Sequence, residues 1–121
     1  MKLLYTAGPY RDDRGMYYVW KNIEQAKTVA RELWLMGFAV ICPHANTQMM
    51  DGNDTHEMFL QGDFEMVKRC DGIVVLPGWE RSEGTMREIA CAKANGVPVY
   101  HWPQDESRLQ AVMTEEREAF V

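Results

Sequence analysis

The chain has 121 residues, and no run in it approaches the length of a membrane span. It has three cysteines, Cys42, Cys70 and Cys91, widely spaced and without a C-x-x-C pair. That excludes a disulfide scaffold, and the three read as small buried hydrophobes in a reducing compartment. Cys42, His44, His56 and Cys70 do not have the spacing of metal ligands, and no metal or other cofactor is expected. Basic residues are scarce: 13 Lys and Arg stand against 18 Asp and Glu, a net charge of −5. This argues against a nucleic-acid polymer as partner but leaves room for a small anion held by backbone N–H groups and an arginine. Neither G-x-G-x-x-G nor G-x-x-x-x-G-K-[ST] occurs, which removes the dinucleotide fingerprint and the P-loop. There is no repeat, low-complexity tract or linker, so residues 1–121 are expected to form one domain. Met1-Lys2-Leu3-Leu4-Tyr5 opens no long apolar h-region, and the expected compartment is the cytoplasm.

What is present is an alternation of strand-like and helix-like segments. Lys2–Ala7 is a short apolar run broken by Gly8-Pro9. Tyr17–Met36 repeats Trp20, Ile23, Ala26, Ala30 and Leu33 at helical spacing and ends at Gly37. Phe38–Cys42 is a second strand, followed by a polar loop over 43–55. His56–Cys70 reads as a helix, Gly72–Leu76 as a strand buried on both faces, and Gly84–Asn95 as a helix. Val97–Trp102 is a fourth strand, and residues 105–119 form a last amphipathic helix with Leu109, Val112 and Met113 inward. This order predicts an α/β fold: a flavodoxin- or Rossmann-like three-layer sandwich with a four- or five-stranded, mainly parallel sheet. Ligands in such sheets bind beyond the carboxyl ends of the strands. The loops that leave those ends, 8–16, 43–55 and 77–84, are also the richest in Gly, Pro, Arg, Asn and Ser.

Asp63 breaks the pattern of its helix. At about 100° per residue it falls inside the arc of Phe59, Leu60, Phe64, Met66, Val67 and Cys70. A carboxylate there costs several kcal/mol (about 2 or more) unless it is paired, hydrogen-bonded or protonated. It is either a structural acid or one with chemistry to perform. In the first loop, Gly8 allows close backbone approach and Arg11 offers a planar fork to a phosphate or carboxylate; a tight turn with a solvated Arg is the plain alternative. In the third loop Ser82 suits the N-cap of the next helix, whose free N–H groups would attract an anion. Glu88 follows within that helix among small residues; a surface position is the ordinary fate of such a glutamate. Burial should raise the pKa of Asp63, and the helix N-terminus should keep Glu88 ionised. A proton donor beside a carboxylate nucleophile is the division of labour of retaining glycosidic cleavage. Tyr5, Tyr10 and Trp79 could stack on a sugar or base, with core packing as the alternative for each.

These residues, taken in order, resemble the nucleoside 2-deoxyribosyltransferase superfamily. The likeness rests on Tyr5 with Gly8, and on Asp63 followed by Asp71 and Gly72-Ile73-Val74-Val75-Leu76. It extends through Ser82-x-Gly84-x-x-x-Glu88 and Gly96-Val97-Pro98-Val99, and covers roughly residues 2–100. The resemblance implies that Glu88 attacks C1′ of the sugar, that Asp63 assists protonation of the base, and that Tyr5 positions the nucleophile. The transferases carry an acid where this chain has Ser82. The branch that hydrolyses nucleoside 5′-monophosphates has a serine there and an arginine matching Arg11. Gly8, Arg11, Ser82 and Gly84 would then hold a phosphate, with Tyr10, His44 and Trp79 as base or sugar contacts. The implied ligand is a small nucleoside or nucleotide, and a homodimer or higher homo-oligomer is implied because neighbouring subunits complete the transferase site. No residue in 103–121 matches that partner contact. The competing reading is a nucleotide-binding module without turnover, which would need the phosphate nest but not both acids.

Overall fold

The computed structural model describes residues 1–46 and 56–119, and there strand and helix alternate as expected. β1 (Leu3–Ala7), β2 (Ala39–Ile41), β3 (Gly72–Val75) and β4 (Val99–His101) form one parallel sheet in the order β2-β1-β3-β4. The helices are α1 (Met16–Met36), α2 (Pro43–Asn46), α3 (His56–Lys68), α4 (Glu83–Ala94) and α5 (Glu106–Ala119).

Each strand is shorter than its apolar run, and β2 and β4 start late because the adjoining helix caps take the first N–H groups. Phe38 donates to the Leu33 carbonyl at 3.2 Å, closing α1 behind Gly37, whose φ of 109° is left-handed. Val97 likewise donates to Ala92 at 2.8 Å, behind α4. The expected loop after β2 is also corrected in part. Pro43, with its fixed φ and no N–H to lose, starts the single turn α2. Residues 47–55 of that expected loop, including Asp51, Gly52, Asn53 and Asp54, lie outside the described residues.

Alternation along the strands sorts the core into two layers. Leu4 and Val74 face the side where Ala26, Val29 and Leu33 of α1 and Leu109 and Met113 of α5 pack. Tyr5, Ala7, Ile73 and Val75 face the other side, against Val67 of α3 and Ile89 and Ala92 of α4. Trp20 does not join the inward row of α1 and is 53% exposed. Three residues before Ile23, it sits about 60° round the helix, off the edge of the buried stripe.

This topology fixes where a ligand can go. From β1 the chain moves outward to β2, then returns to lay β3 on the other side of β1. The loops after β1 and β3 therefore diverge, opening a crevice at their carboxyl ends. Tyr5 is directed from β1 towards α3 and α4, the helices that carry the two acids.

Candidate active site

A cavity of about 290 Å³ occupies that crevice. Gly8, Tyr10, Arg11, Pro43, His44, Phe59, Leu60, Asp63 and residues 81–85 line it, with Glu88 beneath. Nine of the expected site residues converge here: Gly8, Tyr10, Arg11, His44, Asp63, Ser82, Gly84 and Glu88 on the lining, and Tyr5 through its bond to Glu88.

The floor is a buried acid and a half-buried one bridged by a phenol. Tyr5 is fully buried and its hydroxyl donates a short hydrogen bond to Glu88 Oε2. Glu88 itself is only 6% exposed, so the ordinary surface position, the plain alternative for this residue, does not hold. The small side chains of α4 let the helix lie close to the sheet, and position 88 then turns inward onto β1. Burial pushes Glu88 up to about 8; the charge of Asp63 adds to the rise and the Tyr5 hydrogen bond opposes it. Asp63 is half-buried, and burial raises it to about 6 against the Tyr5 hydrogen bond. The expected division is thereby corrected: both acids are raised, and Glu88 more than Asp63. Glu88 lies in the second turn of α4, beyond the reach of the helix terminus, so desolvation decides. Tyr5 is driven well above the usual phenol range by burial and by the neighbouring charges of Glu88 and Asp63.

The polar wall is the start of α4. Ser82 Oγ accepts from the Thr85 N–H at 3.2 Å and from the Thr85 hydroxyl at 2.8 Å, which leaves its own O–H to donate. Gly8 is pressed against the core. A Cβ there would stand 2.8 Å from Leu76 Cβ, so its missing side chain serves packing as well as access. Arg11 is exposed on the lining, while its neighbours Arg14 and Asp12 are joined at 2.7 Å.

Tyr10, Pro43, His44, Phe59 and Leu60 complete the lining. His44 is 5% exposed; its Nε2–H donates to the Pro9 carbonyl at 3.0 Å, and Tyr10 packs edge-on at 5.9 Å. Burial lowers its pKa, so the ring is neutral and Nδ1 is an acceptor. That buried Nδ1 meets no hydrogen-bond partner among the described residues.

Trp79 is the expected site residue that does not line the cavity. Gly78, at φ 90°, begins a single 3₁₀ turn, Trp79–Arg81, which carries the indole to His101 with ring centres 5.4 Å apart. The same turn brings Arg81 to the lining, beside Ser82. Arg81, Thr85, Phe59 and Leu60 also line the cavity, where the sequence pattern points to no ligand contact. For Arg81 the available signal was Pro77-Gly78, a turn able to reverse which side chain faces the rim.

Among the described residues no helix is long and apolar enough to cross a membrane, and no group of three or more His, Cys, Asp or Glu side chains is placed to hold a metal ion.

A family model described as "Domain of unknown function (DUF4406)" matches residues 2–101. No curated protein matches the chain. Among solved structures it is similar to a 2-deoxyribosyltransferase from the psychrotolerant bacterium Bacillus psychrosaccharolyticus, with 23% identity and a TM-score of 0.58 over 82% of this chain and 70% of that one. It is also similar to a conserved protein from Enterococcus faecalis V583, with 24% identity and a TM-score of 0.55 over 93% and 74% of the two chains. At these identities the likeness is one of fold.

Proposed function

The chain belongs to the DUF4406 family, and we propose that it cleaves the N-glycosidic bond of a nucleoside or deoxynucleoside 5′-monophosphate through a sugar ester on Glu88. The observation that carries this reading is the buried Tyr5–Glu88 hydrogen bond with Asp63 close enough to shift Glu88, all on the floor of one open cavity. A pocket that only held a nucleotide would gain nothing from two desolvated carboxyls. The similarity of fold to a 2-deoxyribosyltransferase supports the same chemistry.

The acid pair holds one proton between about pH 6 and 8. Attack on C1′ needs Glu88 ionised, and departure of the base needs a proton. Passing the shared proton from Glu88 to Asp63 supplies both. Glu88 then forms the C–O bond as the C–N bond breaks, and Asp63 delivers its proton to the leaving base. Tyr5, hydrogen-bonded to Glu88, holds the attacking oxygen in place. Water or a second base then displaces the sugar from Glu88.

The phosphate is assigned to the rim formed by the Ser82 hydroxyl, the first N–H groups of α4, Arg11 and Arg81. The base lies against Phe59, Leu60 and Tyr10, beside the ring of His44. A panel of nucleosides and nucleotides assayed for free base tests the reading. Nucleotides should be preferred, and Arg81→Ala or Arg11→Ala should raise KM for nucleotides more than for nucleosides. Equal effects on both would remove the phosphate site. Saturable nucleotide binding without base release would favour the binding module.

A further inference from the structure

The outer face of α1 carries a symmetric pattern that the cavity does not use. Tyr17, Trp20, Glu24, Lys27, Arg31 and Trp34 follow one another at alternating steps of three and four residues, the spacing of a two-helix seam. None of the six faces the core. Tyr17 is 62% exposed and Trp20 and Trp34 are each 53% exposed, while Lys27 and Arg31 lie on the surface. Met16 and Leu35, 58% and 71% exposed, flank the two ends. Large apolar side chains in such a row are unusual on a surface that stays in water.

The order of the row identifies its occupant. Read from either end, it runs aromatic, then a stacking partner, then a charge. Two copies of α1 laid antiparallel about a twofold axis would oppose Tyr17 to Trp34, Trp20 to Arg31 and Glu24 to Lys27, each pair occurring twice. Those layers are aromatic on aromatic, cation on indole, and acid on base. Parallel pairing would instead place Arg31 on Arg31 and Glu24 on Glu24. Within one copy the groups are already ordered along the seam: the Tyr17 and Trp20 rings stack at 6.3 Å and 27°, and Glu24 pairs with Lys27 at 3.7 Å. We infer that α1 is the contact surface of an isologous dimer, in which a second copy of this chain packs antiparallel on the Tyr17–Trp34 seam.

Sedimentation equilibrium of the full chain tests this. The wild type should be a dimer at about 100 μM, and Trp20→Glu with Trp34→Glu should raise the Kd by about thirtyfold or more while the circular dichroism is unchanged. Glu24→Lys and Lys27→Glu should each weaken self-association. Mixing those two single variants should restore the dimer, because every charged layer then again joins opposite signs. A monomeric wild type, or a dimer indifferent to both tryptophan changes, would overturn the inference. Loss of the dimer in the single charge variants with no recovery on mixing would overturn the antiparallel register.

Discussion

Replacing Glu88 with Gln keeps the shape of the side chain and removes its charge, so it isolates what burial of that acid does to the fold. In the native chain burial carries the Glu88 pKa from 4.5 to about 8. Between those values the unfolded chain has released the proton and the folded chain still holds it. The folded state therefore binds more protons, and stability falls as pH rises through the window. The full shift from 4.5 to about 8 corresponds to at most ~5 kcal/mol, all of it lost above pH 8. Other groups leave an interval in which Glu88 acts alone among the shifted side chains described. Asp63 completes a loss of the same sign by about 6. His44, kept neutral by burial, adds stability only as pH rises towards its ordinary 6.5. Burial holds the Cys70 thiol at about 11, so its effect begins above 9.0. Urea unfolding at intervals between those limits should show the wild type losing stability from neutral pH to about pH 9 and Glu88→Gln holding nearly level. The two curves should diverge most at the alkaline end, with the variant the more stable. Parallel curves would refute the burial of a protonated Glu88 and with it the proton shared by the acid pair.

Three further outcomes follow from the geometry. The pH dependence of kcat/KM should be bell-shaped with limbs near 6 and 8, since the nucleophile is lost when both acids are protonated and the donor when both are ionised; a profile flat across that range would contradict the assignment. Gly8→Ala drives a Cβ to 2.8 Å from Leu76 and should lower unfolding free energy by about 1–3 kcal/mol; an unchanged urea midpoint would mean that Leu76 is free to yield. Ser82→Ala removes the acceptor of the Thr85 N–H and should cost about 1 kcal/mol, measured in the same way, with no loss indicating that another group caps α4.

The fold was legible because its signals are local. The breakers Gly8-Pro9 and Gly37 and the uninterrupted run of β3 each act within a few residues, and they set the order of elements. All four strands are shorter than their apolar runs, and at Phe38 and Val97 the reason is a helix cap that claims the N–H. Asp63 was legible because it interrupts a periodic apolar arc. The burial of Glu88 was not, because its neighbours are small and give α4 a weak apolar side, and because its partner Tyr5 lies 83 residues away. The reversal of Trp79 and Arg81 depends on the left-handed Gly78, a backbone choice that Pro-Gly allows but does not dictate. Trp20 shares the helical spacing of the inward row, and spacing alone cannot separate the edge of a buried stripe from its centre.

Release of free base from nucleoside 5′-monophosphates, compared between the wild-type chain and Glu88→Gln at neutral pH, tests whether Glu88 is the nucleophile. If Glu88 is the nucleophile, the wild type releases base and the variant is slower by about a thousandfold or more while still binding the nucleotide. Equal rates in the two proteins would contradict the account, because the reaction would then proceed without the one carboxylate that the fold buries against Tyr5.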